Sequence, residues 1–89
     1  MRAPTHTRQF EKDVKRIRKR GKNLEKLKPV LSALIEDKPL AEQYRDHSLA
    51  GDYAGRRECH IEPNWLLIYK LIDDAIIFER TGTHSDLFE

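Results

Sequence analysis

The feature of this chain that most restricts its fold is a change in the spacing of its apolar residues. In residues 8–36 they recur at every third or fourth position, which is the spacing of one helix face. From residue 56 onward they alternate with polar residues or form short apolar runs, as in strands. A helical half followed by a strand half predicts one α+β domain over residues 1–89, with two N-terminal helices packed on a small, twisted antiparallel sheet.

Two helices are predicted in the first half, after a short strand at residues 5–7. The first runs from Arg8 to Arg20 and ends at Gly21 in a left-handed conformation. The second runs from Leu24 to about Glu36, capped by Asn23, and Pro29 is expected to kink it. The predicted buried stripes are Phe10, Val14 and Ile17 in the first helix, and Leu24, Leu27, Leu31 and Leu34 in the second.

Three strands are predicted in the second half, after a polar connection at residues 40–55. Arg56 to Glu62 alternates, which places His60 on a charged face and Cys59 on the opposite, apolar face. Trp65 to Ile72 and Ala75 to Thr81 form a hairpin whose register stays open, because its turn has no glycine. Residues 82–89 are predicted to be a tail, and the sheet face away from the helices is expected to be open.

Positive charge is concentrated in the first third of the chain. Residues 1–28 hold eleven Lys or Arg against three acids, a net charge of +8, whereas residues 29–89 carry a net charge of −6. Such an asymmetry creates an oriented field with a basic face suited to a polyanion, so the first helix is predicted to contact nucleic acid. The basic residues of that face are Lys12, Lys15, Arg16, Arg18, Lys19 and Arg20.

The apolar runs and the single cysteine bear on where the protein acts. The longest apolar run is five residues, Trp65 to Tyr69, against the ~18 that a membrane span requires. We expect no membrane segment and no signal peptide. With only Cys59, no intramolecular disulfide can form, which fits a reducing cytoplasm.

Three histidines and one arginine of the second half form the candidate catalytic set: His47, His60, His84 and Arg80. Cleavage of RNA through its own 2′-hydroxyl needs a base, an acid and a cation for the phosphorane. Histidine serves as either base or acid at neutral pH, and arginine offers a permanent fork to phosphate oxygens. Trp65, Tyr53 or Phe88 could stack on an unpaired base. The reaction requires no metal or cofactor, and Cys59 and His60 point to opposite faces, which disfavours zinc.

Long motifs of this sequence resemble one toxin family. H-x-L-x-G begins at His47, H-I-E-P-x-W-x-L-I-Y at His60, and F-x-R-T-G-T-H-x-x-L-F at Phe78. Together they resemble the YafQ branch of the RelE superfamily, over essentially the whole chain. The resemblance implies a RelE-like, microbial-ribonuclease-like fold and an mRNA interferase that enters the ribosomal A site and cuts mRNA, with a preference for adenine-rich lysine codons.

The resemblance also implies site residues. The family's active-site positions correspond to His47, His60, Trp65, Arg80, His84 and Phe88. The family commonly has Asp where this chain has Asn64, which is expected in the substrate-binding set; it can still orient a neighbour or a base, but it supplies no charge and accepts no proton. We expect His84 to be the general acid, His47 or His60 the base, and Arg80 the phosphorane ligand. Trp65 and Phe88 are expected to place the nucleotide.

The resemblance implies partners as well: an antitoxin similar to DinJ with a ribbon-helix-helix end, and the 30S A site with its ribosomal RNA and mRNA. Operator DNA is expected to be contacted only through the antitoxin. Two alternatives remain. One is a non-catalytic RNA- or ribosome-binding module that uses the basic helix, and the other is an interaction protein that binds a peptide on the open sheet face.

Overall fold

The structure, a computed structural model, describes residues 1–88 and contains one five-stranded sheet with three α-helices. The strands follow the order β1-β5-β4-β3-β2 across the sheet. The elements are β1 (Ala3–His6), α1 (Arg8–Lys19), α2 (Leu27–Ile35), β2 (His47–Ser48), β3 (Arg57–Glu62), β4 (Trp65–Ile72), β5 (Ala75–Gly82) and α3 (His84–Phe88). Single turns of 3₁₀-helix lie at Leu24–Lys26, Glu42–Tyr44 and Gly51–Tyr53.

The predicted α+β fold is confirmed, and the sheet has one feature that the sequence analysis did not anticipate. Strands β2 to β5 are antiparallel to their neighbours, whereas β1 is parallel to β5, with His6 opposite Phe78. This strand begins at Ala3, earlier than the predicted residues 5–7. Because β1 covers only the first half of β5, the second half of β5 faces α1 instead.

Helix α1 matches its prediction closely, ending at Lys19 with Gly21 at φ +87°. Thr7 caps it, since its hydroxyl accepts a hydrogen bond from the Phe10 amide at 3.0 Å. Phe10 and Ile17 are buried as predicted, but Val14 is only partly buried. Asp13 is the third fully buried side chain of this helix, which the hydrophobic pattern did not indicate.

The second predicted helix is interrupted rather than kinked. Leu24–Lys26 is a 3₁₀ turn, capped by the Asn23 side chain as predicted, and the α-helix begins at Leu27. Pro29 therefore lies in the first turn of α2, where its missing amide hydrogen would have had no partner within the helix. The buried residues of α2 are Leu27, Val30 and Leu34, while Leu24 and Leu31 are partly buried.

The predicted hairpin is confirmed as β4 and β5. Asp73 takes φ +51° and closes the two-residue turn without glycine, so that Ile72 pairs with Ala75. The alternation in β3 is also confirmed, since Cys59 and Ile61 are buried in the main core beneath α1 and α2.

Two expectations about the other sheet face are wrong. Residues 84–88 form α3 instead of a tail, and Leu87 of this helix packs with Leu66 and Ile68 of β4, next to Leu49 and Tyr53. The face is therefore partly covered. The reason is that β4 is apolar on both faces and needs cover on both. No helix within residues 1–88 is long and apolar enough to cross a membrane.

Candidate active site

Strand pairing brings three histidines and one arginine to the same face of the sheet. His47 on β2 is opposite Glu58 on β3, and Glu58 is opposite Ile68 on β4. Ile68 is in turn opposite Arg80 on β5, so His47 and Arg80 lie on the same face of the sheet. His60 lies two residues along β3 from Glu58, and His84 begins α3 directly beyond β5. His47 thus lies in a short strand and not in a loop, because β2 pairs with β3.

Five aromatic and imidazole rings form a continuous row across this face. The ring centroids are 6.3 Å apart for His47 and His60, 5.9 Å for His60 and His84, and 6.2 Å for His84 and Phe88. The row ends at Tyr53, whose ring meets Phe88 edge-on at 5.4 Å. Phe88 is 44% exposed, so part of its ring surface is open to solvent.

Glu58 lies between two of these histidines and was given no role by the sequence analysis. Its side chain is only 6% exposed, and its Oε1 atom lies 3.1 Å from Nε2 of His60 and 3.7 Å from Nε2 of His47. The alternation of β3 did place Glu58 on the His60 face. Nothing in the sequence indicated that strand β2 would bring His47 to the same carboxylate.

In His47 and in His84, one hydrogen bond to the ring determines which nitrogen carries a proton. Nδ1 of His47 lies 2.7 Å from the Arg45 carbonyl oxygen, which can only accept, so this nitrogen is protonated. The His84 amide donates to Oδ1 of Asn64 at 3.1 Å, which fixes the orientation of the Asn64 amide. Nδ1 of His84 lies 2.9 Å from the same oxygen and so also carries a proton. Nε2 of His84 is left for proton transfer.

The residue types of the T-G-T-H segment, residues 81–84, are explained by the way in which α3 begins. Thr83 and Asp86 cap the helix reciprocally, with bonds of 3.0 and 3.1 Å between each backbone amide and the other side chain. Gly82 has no room for a side chain, because a Cβ there would lie 2.8 Å from Oδ2 of Asp86. Arg20, the C-cap residue of α1, binds both oxygens of Asp86, at 2.6 and 3.1 Å, and holds the pKa of this carboxyl well below its usual range.

Arg80 is held by a buried acid that the sequence analysis also missed. Its Nε and one terminal nitrogen donate to Asp13, at 2.7 and 3.2 Å, and this raises the pKa of the guanidinium. Asp13 is fully buried and also accepts from Arg16 at 2.9 Å and from the Thr81 amide at 3.1 Å. Asp13, Arg16 and Arg80 form a cluster of one carboxylate and two guanidinium groups, which therefore keeps a formal positive charge.

The structure corrects the role expected for Trp65. This side chain is 1% exposed, and its indole N–H donates to the Thr81 hydroxyl at 2.9 Å. A ring enclosed in the core cannot stack on an RNA base, so Trp65 supports the site from below. Cys59 is fully buried as well, and burial raises the pKa of its thiol to about 12, too high for a nucleophile at neutral pH.

The basic residues of α1 divide into two groups. Arg16 and Arg20 are directed inward to Asp13 and Asp86. The other four are exposed and form no ion pair or hydrogen bond with side chains of residues 1–88: Lys12, Lys15, Arg18 and Lys19. Within the same range, no group of three or more His, Cys, Asp and Glu side chains is arranged to hold a metal ion.

Comparison with known proteins gives consistent matches over the whole chain. The model of the YafQ family, bacterial toxins of type II toxin–antitoxin systems, matches residues 2–89. The mRNA interferase toxin YafQ of Escherichia coli K12 is 51% identical over 81 residues, 90% of this chain and 88% of that protein. The putative toxin YafQ of Haemophilus influenzae is 33% identical over 91% of this chain and 86% of its own. A chain of the crystal structure of the E. coli DinJ–YafQ complex is 47% identical and superimposes with a TM-score of 0.93, with both chains fully covered.

Proposed function

The chain belongs to the YafQ family of type II toxins, which identifies it as an endoribonuclease of the mRNA interferase kind, and we propose that it cuts mRNA in the ribosomal A site by metal-independent acid/base catalysis. The row of His47, His60 and His84 beside Arg80 is the observation that carries this mechanism. A base, an acid and a phosphate ligand on one face of the sheet are the groups that the reaction needs.

The first step is attack by the RNA's own 2′-oxygen on the adjacent phosphorus. His60 takes the 2′-hydroxyl proton at Nδ1, because Oε1 of Glu58, 3.1 Å from Nε2, favours the ring proton on Nε2. This arrangement corresponds to the acid that orients histidine in a catalytic triad. His47, whose Nε2 lies near the same carboxylate, is the alternative base.

The second step is departure of the 5′-oxygen with a proton from Nε2 of His84, which acts as the imidazolium while its Nδ1 proton stays hydrogen-bonded to the Asn64 oxygen. The products are a 2′,3′-cyclic phosphate and a 5′-hydroxyl, and the proton taken by the base balances the one given by His84. Arg80 stabilises the negative phosphorane with the donors that Asp13 does not use. Phe88, next to His84 in the ring row, places the nucleotide by stacking. Asn64 orients His84 but does not take part in proton transfer.

The basic helix supplies the docking contact in this proposal. The four exposed cations of α1, together with Arg16 and Arg20 at its inner edge, bind ribosomal RNA through phosphate charge, without reading sequence. We further propose a cytoplasmic site of action in bacteria, a preference for adenine-rich codons, and a DinJ-like antitoxin with a ribbon-helix-helix end that alone contacts operator DNA. The solved E. coli complex of DinJ with a relative of 47% identity supports that partner.

The test is primer extension on an mRNA incubated with the purified protein, with and without programmed ribosomes, and with EDTA in a parallel reaction. We expect cuts within codons that appear only with ribosomes, persist in EDTA and disappear in His84→Ala. His6→Ala is the matched control, because this fourth histidine lies on β1, where it binds Glu11, and should cut like the wild type.

Two results would contradict the proposal. Equal cutting by His84→Ala would remove the assigned acid, and cutting without ribosomes would remove the A-site mechanism. If the folded protein makes no cuts but binds ribosomes in a salt-sensitive manner that survives replacement of His47, His60 and His84, the non-catalytic binding module is the correct function.

A further inference from the structure

A groove of about 660 Å³ opens beside two histidines of the site. It is lined by His60 and His84, by the segment from Gln43 to Arg45, and by the end of β3 and the turn after it, from Ile61 to Pro63. Its volume lies within the ~300–1,000 Å³ range of small-molecule sites. The mechanism proposed above uses the two histidines but leaves the rest of this groove without a role.

The polar side chains of the Gln43–Arg45 segment are available for a ligand. Gln43 and Arg45 are exposed, and neither side chain forms a hydrogen bond or ion pair within the described part of the chain. The backbone of Arg45, in contrast, is fixed on both sides. Its amide donates to the Glu42 carbonyl at 3.0 Å, and its own carbonyl accepts the Nδ1 proton of His47 at 2.7 Å. The segment is thus held directly by a histidine of the site.

The charge of the groove is compatible with RNA. Glu62 is the one acid in its lining, and an unpaired carboxylate would repel a phosphate backbone. Lys22 and Lys26 each bind one oxygen of Glu62, at 2.8 and 2.7 Å, and hold its pKa below the usual range. With Glu62 neutralised in this way, Arg45 gives the groove a positive character.

We propose that this groove is the subsite for the base next to the scissile phosphate, and that Gln43 and Arg45 select a purine there, with adenine preferred. The inference rests on the proposed function. A side-chain amide pairs with N6 and N7 of adenine through two hydrogen bonds, and a guanidinium stacks on an unpaired base. Pro63, which is exposed, provides apolar contact for the base.

The experiment measures single-turnover cleavage on programmed ribosomes with mRNAs that differ only in the base flanking the cut. The wild type should favour adenine over guanine and over pyrimidines, and Gln43→Ala should reduce the adenine preference about tenfold. Arg45→Asn, which keeps a residue that tolerates the left-handed backbone, should reduce the purine preference. Glu42→Ala, the neighbouring exposed residue outside the groove, is the control and should retain both preferences.

An mRNA with unsubstituted purine, which lacks the N6 amine, sharpens the assignment. The wild type should cleave the purine mRNA more slowly than the adenine mRNA, by the factor by which Gln43→Ala slows cleavage of the adenine mRNA. Gln43→Ala itself should cleave the two mRNAs at the same rate. Unchanged preferences in both groove variants, or an equal loss for all four bases, would overturn the subsite while leaving the nuclease intact. Absence of cleavage by the wild type would instead refute the proposed function.

Discussion

The two halves of the site are built in different ways. Arg80 is held by Asp13, a fully buried acid that also binds α1 and the backbone of β5. His47 and His84 lie near solvent, whereas the His60 side chain is only 15% exposed. His47, with half of its side chain exposed, is held by a single hydrogen bond to a nearby carbonyl. A group that stabilises charge in the transition state is most effective when its orientation is fixed beforehand. Groups that transfer protons must instead reach the substrate.

We therefore expect the stability of the fold to depend on the buried half of the site, whereas the exposed half can be altered with little effect on stability. Substitutions around Arg80 should therefore change stability and activity together. Substitutions of the histidines should change activity alone. The following experiments test this distinction.

The largest effect is expected from Asp13→Ala. It leaves Arg80, Arg16 and the Thr81 amide without their common acceptor in a buried place. Loss of one partner of a buried ion pair costs about 3–5 kcal/mol, and we expect a decrease of this size in the free energy of unfolding, measured in urea. Asp37→Ala, which removes the exposed partner of Arg2, is the control. A loss below ~1 kcal/mol would show that the fold does not depend on this cluster.

His84→Ala should lower the single-turnover rate by about 10²–10⁴-fold, the usual contribution of a general acid, with little change in stability. The exposed ring contributes one side-chain bond, to Asn64, while the backbone bond to Asn64 is retained in the variant. The rate on ribosomes and the urea midpoint measure the two effects. A large drop in stability without loss of rate would reverse the comparison.

Glu58→Gln should lower the rate, by less than His84→Ala does, because the amide keeps the shape but no longer orients His60 as an anion does. A double-mutant cycle with His60→Ala checks this explanation. If Glu58 acts through His60, its replacement has no further effect in the His60→Ala background. Additive losses would mean that Glu58 acts independently.

The smallest effect is expected for Asp86→Asn and depends on pH. Arg20 lowers the pKa of Asp86 in the folded state below the ~3.9 of an unfolded aspartate. The bridge therefore stabilises the fold above about pH 4, and this contribution is lost as the pH falls further. The variant should have a lower melting temperature than the wild type at pH 7, and the difference between the two melting temperatures should be smaller at about pH 3.

Asp74→Asn, an exposed aspartate in the β4–β5 turn, is the control for this acid titration. A gap between Asp86→Asn and the wild type that stays constant from pH 7 to about pH 3 would contradict the role of the Arg20 bridge.

The sequence predicted most of the fold because the long elements carry clear periodicity. Each pattern was sufficient to predict its element: the apolar stripe predicted α1, the alternation predicted β3, and the two apolar runs predicted the hairpin of β4 and β5. Helix α3 was missed because five residues are too few to show a helical period. The parallel pairing of β1 was missed because its residues are exposed and show no alternation.

The candidate site was predicted through its residue types more than its geometry. The histidines and Arg80 stood out because their chemistry suits RNA cleavage. Asp13 looked like part of a solvated charged face, and its burial depends on Arg80, which is 67 positions away in sequence. Trp65 was assigned to the substrate through its position in a motif, although its indole is bonded within the core.

The contacts between α1 and the end of β5 have a consequence for the synthesis of this protein. Helix α1 leaves the ribosome early, yet the partners of Asp13 and Arg20 are Arg80, Thr81 and Asp86, which are translated more than sixty residues later. A nascent chain that ends before these residues has no His84, no anchored arginine and an unpaired acid in its first helix. The ribosome therefore translates Arg80, Thr81 and Asp86 before the proposed site can form.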